Sequence, residues 1–182
     1  MKNEINDIKK YNPSSTDSYF FDNNIWMFLF CPLGNSSKKK QQDYSRFLQQ
    51  IQTCRASIFI TSMILSEFAN ACLRLDYDLW KKEDPRNVNA RYKQDYIPTA
   101  RYKTASKEIT SEIKNILRIT ERTPDNFNSV NMDNILTNFE IIDFNDSYIV
   151  EFCRNQSFKL VTDDKDIIKK VEHSSLTIIT SV

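Results

Sequence analysis

Apolar residues along this chain gather into short runs, and the spacing inside each run predicts its element. Ser18 to Phe21 and Ile58-Phe59-Ile60 are brief runs of strand length. Between them, Ile25 to Phe30 predicts a buried helix closed by Pro32 and Gly34, with Asp22 or Asn23 as its N-cap. Lys38 to Cys54 places Tyr44, Phe47, Leu48 and Ile51 at helical intervals, an amphipathic helix with a basic, solvated start at Lys38-Lys39-Lys40. A further helix begins at Thr61-Ser62 and carries Ile64, Leu65, Phe68, Cys72 and Leu75 on one face. Residues 76–103 are the least regular, broken at Asp84-Pro85 and Ile97-Pro98. Helical spacing resumes from Ser106 to Ile119 through Ile109, Ile113, Ile116 and Leu117, and Met132 to Phe139 predicts a short helix.

The last third alternates most clearly. Phe139 to Ile142 reads as strand, Asp146 to Arg154 as helix, Lys159 to Thr162 as strand, Asp166 to Val171 as a short helix, and Leu176 to Thr180 as strand. Strands separated by helices predict right-handed crossovers. The expected class is α/β, three layers with a central, mostly parallel sheet between helices. Residues 1–17 are polar and read as a loosely held extension. Residues 18–182 then form one domain, with a helical insertion at about 80–131.

Composition narrows the function classes. The chain has 182 residues and 40% apolar content, enough for one buried core. Its 25 basic and 24 acidic residues give a formal charge of +1, so any nucleic-acid contact must come from a local patch. Gly34 is the only glycine, which excludes a phosphate-binding P-loop and a GxGxxG dinucleotide turn. Cys31, Cys54, Cys72 and Cys153 show no CxxC pairing and read as reduced thiols. With no run of membrane-spanning length and no signal-like start, the expected location is cytoplasmic, with no membrane partner. His173, the single histidine, has no Ser or Cys partner motif and reads as structural.

Four carboxylates stand where strand and helix ends should place them: Asp22, Glu67, Asp146 and Asp164. Each has a structural use: Asp22 can cap a helix, Asp146 can favour a helix start, and Asp164 can shape a turn. Glu67 lies inside its helix at the edge of the apolar stripe, where no capping role exists. Asp146 stands three and four residues before Ile149 and Val150, so it faces the sheet side of its helix. If the strands are parallel, their carboxyl ends lie together, where open α/β sheets build sites. Like charges held close either share protons or bind a cation, and hard oxygen donors suit Mg²⁺ or Mn²⁺.

The segments Phe21-Asp22-Asn23-Asn24, Thr61 to Phe68, Asn145 to Val150 and Leu160 to Asp166 resemble, in order and residue type, the PIN-domain family of metal-dependent nucleases. That family includes the VapC-type toxins of toxin-antitoxin modules. The resemblance implies a metal-dependent endoribonuclease in which Asp22, Asp146 and Asp164 hold Mg²⁺ or Mn²⁺ directly or through waters and Glu67 orients a metal-bound water. Asn23 and Thr162 become supporting hydrogen bonders, and Asp166 is a reserve ligand among crowded acids that also include Asp143 and Asp163. It further implies RNA as substrate, an antitoxin protein as partner, and a homodimer. Two other readings share these residues: a DNA endonuclease, and a catalytically inactive module for RNA binding or assembly. Residues 80–103 interleave cations with Trp80, Tyr92, Tyr96 and Tyr102. There Arg91, Lys93, Arg101 and Lys103 form a candidate path for single-stranded RNA, against the alternative of a solvated surface with tyrosines packed inward.

Overall fold

The computed structural model describes residues 3–33, 37–171 and 175–181. Gly34 and His173 lie outside the described residues. Six strands, β1 (Glu4–Asp7), β2 (Ser18–Phe21), β3 (Ser57–Ile60), β4 (Glu121–Arg122), β5 (Lys159–Val161) and β6 (Thr177–Thr180), form one sheet in the order β1-β6-β5-β2-β3-β4. Every pairing is parallel. Seven α-helices are described: α1 (Asn23–Phe30), α2 (Lys38–Cys54), α3 (Ser62–Glu83), α4 (Ala100–Arg118), α5 (Met132–Phe139), α6 (Phe144–Gln156) and α7 (Lys165–Lys170).

Alternation along β2 shows why there are three layers. Successive strand residues point to opposite faces. Tyr19 meets Phe47 of α2 edge-on at 5.7 Å between ring centres, whereas Phe20 meets Phe152 of α6 at 5.3 Å. Phe21 returns to the first face and packs on Trp26 of α1 at 5.1 Å, with the indole N–H donating to the Phe21 carbonyl at 3.1 Å. Both faces of β2 are therefore covered, and its aromatic residues are buried. The expected α/β architecture is present.

The strand order fixes where a site can form. From β2 the chain crosses to β3 on one side, and from β5 it crosses to β6 on the other, although β2 and β5 are neighbours. Right-handed crossovers in opposite directions place their helices on opposite faces and leave a crevice at the carboxyl ends of β2 and β5.

Three elements differ from expectation. Residues 4–7 are a strand rather than part of a loose extension: β1 pairs with β6 along its whole length, and Ile8 is buried behind it. Tyr11 then packs against Phe47, and Asp17 binds Lys159 at 2.5 Å, so the segment is fastened to the domain. Apolar alternation is missing from β1 because it is an edge strand whose Ile5 is half exposed. Phe139 to Ile142 is not a strand. The amides of Ile141 and Ile142 both donate to the Asn138 carbonyl, closing α5, and of this run Ile142 alone is buried. Finally, within 80–131, α4 packs along α3 and leads into β4, a two-residue edge strand beside β3 that carries no apolar signal.

Candidate metal centre

Asp22 follows β2 directly and caps α1: its Oδ1 accepts from the Asn23 amide at 2.6 Å. Its own amide donates to the Val161 carbonyl, which ties the end of β2 to the end of β5. The first turn of α1 places Asn24 on the same side as Met27 and Phe28, three and four residues on. All three line a cavity of about 320 Å³ with Asp22, Asn23, Glu67, Asp143, Asp146 and Asp164. Glu67 comes from α3, whose start is fixed by Thr61 accepting from the Ile64 amide at 3.5 Å. Asp146 lies in the first turn of α6, where Asp143 caps the helix by accepting from the Asp146 amide at 2.9 Å. Asp164 caps α7 through Oδ1, which accepts from the amides of Asp166 and Ile167 at 2.6 and 3.2 Å.

All four acids expected from the sequence thus reach one cavity, from both helical layers and two strand ends. Its lining contains five carboxylates and no Lys, Arg or His among the described residues. Burial pushes Asp22, only 4% exposed, from an ordinary 3.8 up to about 7, with Glu67 and Asp164 adding repulsion against the hydrogen bonds from Thr162 and Asn23 that favour the charged form. Asp146 is pushed to about 8, first by burial and then by the charges of Asp22, Asp143, Asp164 and Glu67. Glu67 is raised by burial and by Asp143, against a hydrogen bond from Asn23.

Hydrogen bonds fix the orientation of these acids. Thr162, fully buried, donates to Asp22 Oδ2 at 2.7 Å and accepts from the Asp164 amide at 3.0 Å. Asn23 reaches Glu67 Oε1 at 3.4 Å. Both expected supporting residues therefore touch the acids. Two further members of the site were given no role by the sequence, Asp143 being named there only among the crowded acids. Asn24 donates to Asp22 Oδ2 at 2.5 Å and to Thr162 at 3.2 Å, while its Oδ1 accepts from the Asp163 amide at 3.2 Å. Asp143 lines the cavity and repels its neighbours. An N-cap spacing, Asp143-x-x-Asp146, was the available signal for Asp143.

The reserve ligand Asp166 does not join this group: it is exposed and pairs with Lys170 at 3.1 Å. Arg101 is also placed differently from expectation. Its guanidinium grips buried Asp76, with Nη2 to Oδ1 at 2.7 Å, and reaches Glu83, while Tyr96 donates to Asp76 at 2.6 Å. Tyr77, Trp80, Tyr92, Tyr96 and Tyr102 pack on one another, so the aromatic residues of this region are used inside it. Arg91, Lys93 and Lys103 remain exposed, Arg91 beside Asp95 at 3.6 Å. None of the four cations lines the acidic cavity.

The donor set suits a hard divalent cation. Asn23 Oδ1 and Glu67 Oε2 are buried oxygen acceptors without a hydrogen-bond partner among the described residues, and both residues line the cavity. Among the described residues no three His, Cys, Asp or Glu side chains stand close enough together to hold one metal ion directly. An open cluster is compatible with Mg²⁺, which keeps several of its waters and takes few carboxylates.

A family model for the PIN domain matches residues 19–173. No curated protein matches the sequence. Among solved structures, VapBC2 from Rickettsia felis bound to a DNA fragment from their promoter is similar at 16% identity, over 90% of this chain and 98% of that one, with a TM-score of 0.55. PAE2754 from Pyrobaculum aerophilum is similar at 12% identity, over 96% of this chain and 90% of that one, with a TM-score of 0.46.

Proposed function

The chain belongs to the PIN-domain family, and on that premise we propose that it is a nuclease that hydrolyses RNA phosphodiester bonds with Mg²⁺ or Mn²⁺. The observation that carries this is the acidic cavity itself. Five carboxylates share it with no cationic side chain among the described residues, and burial with mutual repulsion pushes Asp22 up to about 7 and Asp146 up to about 8. A scaffold gains nothing from that cost, whereas a cation relieves it.

In this reading Asp22, Asp146 and Asp164 would hold the cation, directly or through its waters. The chemistry such an ion would supply when bound is activation of a water for in-line attack and stabilisation of charge on the leaving oxygen. Glu67 keeps Oε2 for the attacking water, while Asn23 holds Oε1 and so sets the carboxylate plane. Thr162 and Asn24 fix Asp22 Oδ2, so the carboxylate does not have to find its orientation when the ion arrives. Arg91, Lys93 and Lys103 supply exposed positive charge for the RNA backbone. The biological setting we favour is the toxin of a toxin-antitoxin pair, supported by the fold shared with VapBC2. The partner would then be an antitoxin protein.

Cleavage of matched single-stranded RNA and DNA oligonucleotides, with Mn²⁺ or EDTA, tests the proposal. Metal-dependent cutting of RNA that Asp146→Asn lowers by at least about a hundredfold supports it. Equal cutting of DNA would move the substrate class. Absence of cutting together with absence of Mn²⁺ binding would instead favour the inactive RNA-binding or assembly module.

A further inference from the structure

Two acids follow β5 in succession, and the structure separates them. Asp164 lines the acidic cavity. Asp163 is turned elsewhere, its side chain 6% exposed, and its carboxylate is held by the Lys40 ammonium, by the Tyr44 hydroxyl at 3.0 Å and by the Ser181 hydroxyl at 3.0 Å. The Ser181 amide donates to the Tyr44 oxygen at 3.1 Å, which leaves the Tyr44 hydrogen for Asp163 and the Thr162 carbonyl. On the other side the Asp163 amide donates to Asn24 Oδ1, and Asn24 donates to Asp22. One turn of chain is thus gripped from α2, from α1 and from the residue after β6.

Lys40 belongs to a basic run that the sequence presents as a solvated helix start. Lys38 and Lys39 are exposed, but Lys40 bends back to Asp163, and its ammonium lies 5.8 Å from the ring centre of Phe28. Phe28 itself lines the acidic cavity and stacks on Tyr44 at 5.7 Å. The cation therefore stands behind the cavity wall.

We propose that Lys40 and Asp163 form an ion-pair clamp that fixes the turn between β5 and α7, so that Asp164 rather than Asp163 faces Asp22 across the metal site. Adjacent aspartates are chemically equivalent as ligands, and only the path of the backbone decides which one enters. The clamp holds that path by giving buried Asp163 a partner of opposite charge. It also occupies Lys40, whose free ammonium would be drawn to the acids and compete with the metal ion. Lys40 and Asp163 are positioning residues, acting through Thr162 and Asp164. The clamp rests on the reading of the cavity as a metal site.

The test is Mn²⁺ affinity, read from the free-ion electron paramagnetic resonance signal, with a thermal melt of each variant. Removing one charge alone strands the other, so the main variant is Lys40→Met with Asp163→Asn, which removes both. The expected result is a folded protein whose Mn²⁺ Kd rises about tenfold or more, while Lys40→Arg stays within about threefold of the native protein. Should the double variant melt early, Tyr44→Phe is read in its place. It loosens Asp163 without stranding a charge and should raise the Kd by about threefold. Native affinity in the double variant, alongside binding lost in Asp164→Asn, overturns the clamp and leaves the metal site standing. Absence of Mn²⁺ binding by the native protein overturns the metal site and the clamp together.

Discussion

On the proposed reading Asp22 and Asp146 concentrate the chemistry of this molecule, because their protons and a metal ion would compete for the same oxygens. In the folded chain they titrate near 7 and 8, against an ordinary 3.8. The folded state therefore holds protons that the unfolded chain has already released, and stability from these groups is present at low pH and falls as pH rises from about 4 to about 8. Metal binding must displace those protons, so Mn²⁺ should bind more tightly at pH 8 than at pH 6 and raise the melting temperature more at pH 8. Calorimetric melts at the two pH values check this; a larger Mn²⁺ effect at pH 6 would contradict it. Replacing one repelling acid should relieve the metal-free protein. Asp146→Asn is expected to stabilise it by about 1 kcal/mol at pH 8 while removing activity, measured by urea denaturation in EDTA.

Arg101 gives the opposite residue-scale case. Its partner Asp76 is buried and receives the guanidinium at two oxygens as well as the Tyr96 hydroxyl. Arg101→Met would leave that carboxylate uncompensated and cost about 3–5 kcal/mol of stability. RNA affinity of the folded variant should change little. Neutralising Arg91, Lys93 and Lys103 together should weaken RNA binding and flatten its salt dependence, with metal binding and stability unchanged. Filter binding at two salt concentrations separates the two outcomes, and a stable Arg101→Met protein with lost RNA affinity would reverse the assignment.

At the scale of elements, the strands that carry the site were legible and the edges were not. β2, β5 and β6 are buried on both faces, β3 on one face with Phe59 half-buried on the other, and all four show compact apolar runs. β1 and β4 lie at the two edges, where one side of the strand faces solvent and sequence need not alternate. β1 nonetheless contributes to stability. Ile8→Ala, at a site only 3% exposed, should cost about 2–4 kcal/mol, and an unaffected denaturation midpoint would return residues 1–17 to the status of a loose extension. Phe139 to Ile142 misled because four residues with three apolar members look like a strand, whereas the closing turn of α5 buries Ile142 and exposes Phe139 and Ile141. The acids were legible because strand and helix ends locate them and their order is distinctive. Asn24 and the Lys40 to Asp163 pair were not, because which of two adjacent polar side chains turns inward depends on partners more than a hundred residues away.

For the whole molecule, strand order decides the function's location. β2 and β5 are neighbours whose crossovers leave in opposite directions, and the crevice they open receives Asp22 and Asp164 from the sheet, Glu67 from one helical layer and Asp146 from the other. Among the described residues no helix is long and apolar enough to cross a membrane. Among the described residues this crevice is an acidic mouth, and on the proposed reading a polyanionic substrate would need a bridging cation to approach it. The most direct test is incubation of the purified protein with total RNA of its host, in Mn²⁺ or in EDTA, beside Asp164→Asn, with the new RNA ends read by sequencing. Discrete cuts that need Mn²⁺ and vanish in Asp164→Asn are the predicted result. Cuts that persist in EDTA or in the variant would contradict a metal-dependent nuclease at this site.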